Sequence, residues 1–600
     1  MKGKLLRFLP IAAVLLTASC TDKQYDLSDI DTESRFTAKG LVIPLRMEPI
    51  KLDAIISIED DSDIKKDEQG NYYFWKKCTN PFSSKDVNVE KITIARPSEI
   101  SEKIVVNIAP PGFVNKVEQN KLGNKTIGEI LNDPSLSNLL GIDISSIIYN
   151  VAINDTRDIN LRANNIDARI TRLEKLGVDP LTVNIDVRLE ELMNLVNTFI
   201  IKDLTVPLPC GFTVTNISNN GNYDTETGIL SFSELNITNG KTNIQGTVTG
   251  LAYAPMEKDH AKFDPQKHTF EYIKHCNISG TAGIKVNQLN PNAKLQDIID
   301  VTKVTYSCDV KFSDALVVNS FSGGVNYELE DVAVDPVNIR NLPEMLRESG
   351  TNIELENPQL YLDVSNPFFK NNISITAGLL IIGNDSVPKK KEGHSLTFEE
   401  ERNKKVLSPK DDDLFMRGYK HESFTKLKYL LSGDKVPEKL DIKIVNPVLD
   451  VDNVKDFELG KNHAGITGTW EFYTKLCLTD STKIKYSKEW DDWGSKDLDK
   501  LTIEKVSITC KVKKDIELDA DNLEFILIGR DGKTLTGKTK LHGNEEQSIE
   551  IKLEGSPVKN IYGGKVNVNL RGRGNNLNKN HTVEISNLRL TVDGYYDTDF

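Results

Sequence analysis

Apolar and polar residues alternate strictly in two stretches that carry nearly the same text, KVTYSCDVK at 303–311 and KVSITCKVK at 505–513. Val304, Tyr306, Cys308 and Val310 fall on one side of the first; Val506, Ile508, Cys510 and Val512 fall on the matching side of the second. Polar residues fill the positions between. A period of two predicts a β-strand with one face on a core and one in water. The copies are offset by 202 positions, from Cys308 to Cys510. A second match, HCNISGT at 275–281 and HAGITGT at 463–469, is offset by only 188. A connection between the matched strands has therefore grown by about 14 residues, as loops do while scaffolds persist.

The same short period recurs along the chain. It marks strands in LVIPLRMEPIKLDAIISI at 41–58 and NYYFWKKC at 71–78, then in a series from 166 onward broken by Asn, Gly and Pro. Asn219-Asn220-Gly221 and the segment from Asp224 to Gly228 are turn signals, because Asn and Gly tolerate positive φ. Asn357-Pro358 and Asn366-Pro367 bracket a strand that puts Leu360, Leu362 and Val364 on one face. There Asn closes the turn, and Pro, lacking an N–H, ends the pairing. Val583, Ile585, Leu588, Leu590 and Val592 tie the last stretch into a sheet. Helical spacing shows in IGEILNDPSLSNLL at 127–140, where Asp133-Pro134 predicts two short helices in place of one.

Six hundred residues exceed what one core holds, so several domains are expected. The prediction is a mainly β, elongated chain of tandem β-sandwich domains with a few short helices. It comprises a signal peptide at 1–19, a flexible acidic tether at 20–40 and a mixed, mostly β domain at 41–165. Repeat A follows at 166–335, then a β section at 336–435 with an exposed charged insertion at 384–412, and repeat B at 436–600. The sandwiches are Ig-like or LEA-like, the second because the Asn-Pro-bracketed strands resemble those of LEA-type domains, which recur in lipid-handling proteins.

Charge narrows the partners. The formal net charge is −13, and the first 19 residues hold Lys2, Lys4 and Arg7 with no acid, so removing them takes the chain to about −16. Such a surface repels phosphate backbones and argues against nucleic acid. The same basic residues precede an apolar run, LPIAAVLLTASC, too short to span a bilayer and suited to an export signal. Its end resembles a bacterial lipobox, with Leu16, Ala18 and Ser19 ahead of Cys20. The resemblance implies that Cys20 becomes the lipidated first residue and that the chain meets a membrane through that lipid.

Candidate chemistry is sparse. Cys276 with Cys308, and Cys477 with Cys510, have the spacing of one disulfide per repeat, permitted in an exported protein. Against a shared bridge, the position matching Cys276 is Ala464, and Cys308 and Cys510 sit on the apolar side, where a free Cys behaves as a small hydrophobe. Acid clusters at 59–63, 411–413 and 491–499 could hold Ca²⁺ through loop carboxylates, yet none fits a D-x-[DN]-x-[DN]-G loop, and solvated acidic loops are the plainer reading. No cofactor is expected otherwise. Trp490, Asp491, Asp492 and Trp493 form an aromatic and acidic cluster suited to contacting a sugar, or to plugging the end of a sandwich. The sequence has no G-x-S-x-G elbow, H-E-x-x-H pair or phosphate-cradling glycine loop.

Together, the lipobox, the YDLSDID tether at 25–31 and the LPE…NP strands resemble large uncharacterised lipoproteins of Bacteroidota. Asp385-Ser386-Val387 and Asp480-Ser481-Thr482 are similar to that phylum's short O-glycosylation motif. The resemblance implies an outer-membrane lipid anchor, surface-exposed ahead of periplasmic. The expected function is a non-enzymatic envelope protein that binds a glycan, a protein or a surface, or serves as a scaffold. The alternative is a carrier of lipid or another apolar ligand, and a third class is a glycan-processing enzyme.

Overall fold

The computed structural model describes residues 33–44, 49–52, 63–99, 103–107, 112–140, 149–189, 191, 195–284, 290–301, 303–339, 346–490, 501–516, 518–559 and 561–599. The fold is mainly β, with a few short helices. Among the described residues the strands form a nineteen-stranded, a ten-stranded and a seven-stranded sheet, plus one isolated pair.

The repeated strand is central in both copies. Lys303–Phe312 lies between Ile170–Leu189 and Lys103–Asn107, with Cys308 opposite Val187 and Val310 opposite Ile185. Leu501–Lys514 lies between Gln547–Gly555 and Thr582–Asp599, with Val506 opposite both Leu553 and Val592. On the apolar side Tyr306, Cys308 and Val310 are buried in the first copy, and Val506, Cys510 and Val512 in the second, where Ile508 is half-buried. The polar side of the first copy departs from expectation: Ser307 is 4% and Asp309 9% exposed. Short polar side chains on a strand flanked on both sides are shaded by their neighbours, whatever the alternation says. The second match divides differently. HCNISGT lies in Thr269–Ile284 of the nineteen-stranded sheet, while HAGITGT runs into Thr467–Lys475 of the seven-stranded sheet.

Sheets also cross the linear segments. Lys439–Glu458 pairs with Leu316–Glu328 and Ile375–Ile382, joining residues from all three segments after 166 into one sheet. The C-terminal part of the expected tether is a strand: Glu33–Pro44 pairs antiparallel with Thr582–Asp599, with Glu33 opposite Asp599. Alternation there is masked by polar residues on an edge, which needs no buried face. The C-terminal sheet folds over itself so that Leu501, Val506, Ile551 and Val592 meet Leu527 and Leu535.

The 384–412 stretch is not a solvated insertion. His394–Phe398 pairs with Ile375–Ile382, and Arg402–Ser408 pairs with Gln359–Ser365. Leu396, Phe398, Val406 and Leu407 are each 0% exposed. Glu399, Glu400, Glu401, Arg402 and Lys404 between them are exposed, while Lys405 turns in to pair with Glu422 at 2.8 Å, so composition hid a buried alternation. The 127–140 segment does form two helices, Ile127–Asn132 and Pro134–Leu140. Thr126 starts the first with a reciprocal cap: its hydroxyl accepts from the Glu129 N–H at 3.2 Å, and the Glu129 carboxylate accepts from the Thr126 N–H at 2.7 Å.

The predicted turns hold as well. Asn219 and Asn220 have φ of 58° and 55°, and Gly228 has φ of 75°. Gln359–Ser365 is the strand bracketed by the two Asn-Pro pairs, with Leu360, Leu362 and Val364 turned into the core.

Candidate functional site

The seven-stranded sheet runs in the order Lys420–Ser423, Arg402–Ser408, Gln359–Ser365, Thr467–Lys475, Tyr72–Lys77, Ile64–Lys66. One face carries Leu360, Leu362, Phe472, Trp470 and Phe74 into the main core. Alternation then sends Tyr361, Tyr473, Tyr73 and Trp75 to the other face. Register brings them together: Tyr473 lies opposite Trp75 on one side and Gln359 on the other, Lys475 opposite Tyr73, and Tyr361 opposite Glu471.

What covers this face follows from an edge pairing. Arg402–Ser408 and Lys420–Ser423 pair in parallel, so the chain between them cannot turn back as a hairpin and must cross over. The crossover, 409–419, passes over the sheet and lays Leu414, Met416 and Tyr419 against Tyr361, Val406 and Tyr473. Phe415 stacks flat on Tyr473, with ring centroids 4.1 Å apart and planes 5° from parallel. Tyr73 and Trp75 flank it at 6.5 and 6.2 Å. Phe415 remains 44% exposed, and Tyr73 and Trp75 are half-buried.

Polar groups hold the crossover in place. The buried Gln359 donates through Nε2 to the Asp413 carbonyl at 2.9 Å and accepts at Oε1 from the Phe415 N–H at 3.0 Å and the Tyr361 hydroxyl at 2.5 Å. The Tyr361 hydroxyl in turn accepts from the Met416 N–H at 3.1 Å. Around the rings, Trp75 donates its indole N–H to Glu471 at 3.1 Å, Lys65 lies 4.4 Å over the Trp75 ring, and Arg402 grips Asp363 with two bonds of 2.8 and 2.7 Å.

Beside the aromatic face lies a cleft of about 200 Å³ lined by Glu356, Gln359, Lys410, Asp413, Lys475 and Asn576, among others. Both of its lysines are paired, Lys410 with Glu356 at 2.8 Å and Lys475 with Asp413, and Asp412 adds a third carboxylate. Cys477 donates its thiol to the second Glu356 oxygen at 2.6 Å. Those hydrogen bonds, from Cys477 first and then Lys410, hold the Glu356 carboxyl below the usual carboxylate range. Burial first, and then Glu356, pushes the Cys477 thiol up to about 12.

A second cleft, about 330 Å³, is lined by Lys76, Lys77, Thr79, Asn80, Asp335, Pro336, Asn338 and Trp470, whose buried indole N–H has no acceptor. Elsewhere, Cys210, Tyr272, Asp259 and Lys274 form a closed network, with Tyr272 2.9 Å from the thiol and 2.7 Å from Asp259, and Lys274 2.9 Å from Asp259. Burial raises both Cys210 and Tyr272, so neither ionises near neutrality.

The residues singled out from sequence fall elsewhere. Cys20, Asp491, Asp492 and Trp493 lie outside the described residues. Trp490 ends the edge strand Lys483–Trp490 of the ten-stranded sheet, its backbone opposite Gly564. Neither candidate disulfide is present: Cys276 is not bridged to Cys308, nor Cys477 to Cys510. Cys477 is engaged with Glu356 in one sheet region, while Cys510 packs with Val512, Ala520 and Leu541 in the C-terminal core. Of the acidic clusters, Asp63 pairs with Lys76 at 2.8 Å, Asp413 with Lys475, and 491–499 is outside the described residues. Among the described residues no group of three His, Cys, Asp or Glu is placed to hold a metal ion, and no helix is long and apolar enough to cross a membrane.

Sequence reasoning missed Tyr73, Trp75, Phe415 and Tyr473 as a unit. The signal was the YYFW run, which puts aromatics on both sides of one strand, and the LFM triplet inside an otherwise charged stretch.

No protein-family model matches the chain, and no curated protein matches it. Among solved structures it is similar to a protein from Parabacteroides distasonis described as secreted, with a TM-score of 0.32 and 15% identity over 46% of this chain and 89% of that one. A likeness of that degree carries no argument about fold or function.

Proposed function

We propose that this chain is a lipid-anchored, non-enzymatic protein of the outer membrane that presents its sheets for binding, with the outer face of the seven-stranded sheet as the working surface. The observation that carries the reading is the Phe415, Tyr73 and Trp75 group, left partly in solvent on a rigid sheet and ringed by paired charges. Large apolar rings kept at a surface with a polar rim are the composition of a binding face. The chemistry of the adjoining cleft supports binding over hydrolysis. A glycosidase general acid needs a raised carboxyl pKa, whereas Glu356 is held low and Asp413 is ion-paired. The two clefts are small and polar, which favours capture on a face over carriage of an apolar molecule inside.

A photo-crosslinking amino acid placed at 415 in cells tests the surface, with the same probe at Ile229, an exposed apolar position in another sheet, as control. Adducts at 415 in excess of those at 229 are expected; equal labelling at both sinks the reading. Metabolic labelling with a clickable fatty acid, lost in Cys20→Ser, tests the anchor, and protease treatment of intact cells tests exposure.

A further inference from the structure

We propose that the aromatic face and the adjoining cleft form one site for a neutral oligosaccharide, with sugar rings stacked on Phe415, Tyr73 and Trp75 and hydroxyls directed to the cleft. The proposal rests on the binding reading above and names its ligand.

Three observations lead to it. The first is ring geometry. Phe415 has one face covered by Tyr473 at 4.1 Å and is still 44% exposed, so its other face is offered to solvent as a flat plate. Tyr73 and Trp75 sit 6.5 and 6.2 Å from it, tilted by 35° and 56°, and Lys65 lies 4.4 Å over the Trp75 ring, so the rings form a shallow aromatic trough that does not close into a pocket. Such a surface suits a flat, extended ligand with an apolar face, and it does not enclose a compact apolar one.

The second is continuity. Tyr473 and Lys475 are two apart on one strand and share a face, and Asp413 and Phe415 are two apart in the crossover. Lys475 and Asp413 pair with each other and both line the cleft. The rings and the cleft are therefore neighbouring parts of one surface, fixed by Gln359, which belongs to the cleft and holds the Phe415 N–H at 3.0 Å.

The third is charge. The cleft's lysines are matched by carboxylates, Lys410 with Glu356 and Lys475 with Asp413, and the face is rimmed by Arg402 with Asp363. Paired groups offer donors and acceptors side by side, and with Asp412 the cleft carries three carboxylates to two lysines, a net charge of one negative unit. That arrangement suits hydroxyls, which both donate and accept, more than it suits a phosphate, a polyamine or a nucleobase chain. An amphipathic ring with one C–H face and a rim of hydroxyls satisfies all three observations.

The test is retention of the purified full-length protein on an array of neutral plant, fungal and host oligosaccharides, followed by titration of the retained glycan in 50 mM and 500 mM salt. Retention of at least one neutral glycan is expected, changing less than twofold with salt and weakened at least tenfold in Phe415→Ala and in Trp75→Ala. Phe415→Tyr and Trp75→Phe, which keep a ring, should stay within about threefold of the parent and guard against a mere folding defect. No retention, retention that both alanine variants preserve, or retention confined to acidic glycans and abolished by salt overturns the proposal. Crosslinks from 415 to a protein, with no glycan retained, would keep the binding surface and remove the sugar; failure of crosslinking at 415 would remove both.

Discussion

Phe415 lies parallel to Tyr473 at 4.1 Å and pins the middle of the crossover to the sheet, beside the packing of Leu414, Met416 and Tyr419. The loop's backbone is also held by Gln359 at the Asp413 carbonyl and Phe415 N–H, by Tyr361 at the Met416 N–H, and by Asn357 at the Asp412 carbonyl and Lys410 N–H. Removing the ring leaves those bonds without the apolar contact that excludes water from them. Phe415→Ala should speed hydrogen exchange at 411–419 at least tenfold, while amides of Gln359–Ser365 and Thr467–Lys475 keep their protection. Because the ring is partly exposed, the loss is modest, about 1.5–2 kcal/mol of local stability. Unchanged exchange in the loop would mean that the stack contributes nothing to holding it.

Asn366 is 0% exposed and closes the turn after Gln359–Ser365. Its Nδ2 donates to the Ile373 carbonyl at 2.8 Å and the Phe398 carbonyl at 3.1 Å, and its Oδ1 accepts from the Phe368 N–H at 3.0 Å. Asn366→Ala strands three buried backbone groups and should cost about 2–4 kcal/mol. Asn366→Asp should do no better, since a carboxylate faces two carbonyl oxygens. Thermal unfolding followed by circular dichroism reads both; a melt within a degree of the parent would show that water replaces the side chain.

The strands were legible because a period of two is written locally. Leu360, Leu362 and Val364 declare their face without reference to any other segment, and so do Val506, Cys510 and Val512. The aromatic site was not legible, because Tyr73, Tyr473 and Phe415 meet only through register between strands and a crossover, across hundreds of positions. The edge strand Glu33–Pro44 was hidden for a related reason: it pairs with Thr582–Asp599 through backbone groups, which leave no mark on composition. The charged 384–412 stretch misled because its buried positions, Leu396, Phe398, Val406 and Leu407, are diluted by lysines and glutamates on the outward side.

In the C-terminal sheet, Lys514 and Asp519 form a buried ion pair of 2.7 Å with side chains 6% and 10% exposed. Burial alone would raise the Asp519 carboxyl, but the Lys514 hydrogen bond and charge, the Gly543 N–H and Arg573 outweigh it and hold the carboxyl below its ordinary 3.8. The folded state therefore binds this proton less readily than the unfolded one. The contribution is fully present above the ordinary pKa of 3.8 and is lost as pH falls through the lower folded value. Lys514→Met leaves a buried carboxylate and should cost about 3 kcal/mol at pH 7, with much of the loss recovered in Lys514→Met with Asp519→Asn. Calorimetry of the four variants at pH 7 and pH 3 reads the coupling, which should shrink at the lower pH; coupling near zero at pH 7 would refute it.

The thiols give the sharpest distinction between this fold and a disulfide-stapled one. Cys276 and Cys477 have their thiols pushed up to about 12, by burial above all, so at neutral pH neither supplies thiolate to an alkylating agent or an oxidant. No disulfide joins any two of the six cysteines among the described residues. At pH 8 Cys276 and Cys477 of the native protein should therefore react slowly with iodoacetamide, and unfolded protein should take up six equivalents beyond Cys20 without any reductant. Glu356→Gln removes a carboxylate that disfavours the Cys477 thiolate, so alkylation of that residue should quicken in the native state. Intact mass in denaturant shows either six alkylated thiols or, for each bridge, two fewer. A deficit of four would mean that both candidate bridges form and that the chain around Cys477 and Cys510 packs differently.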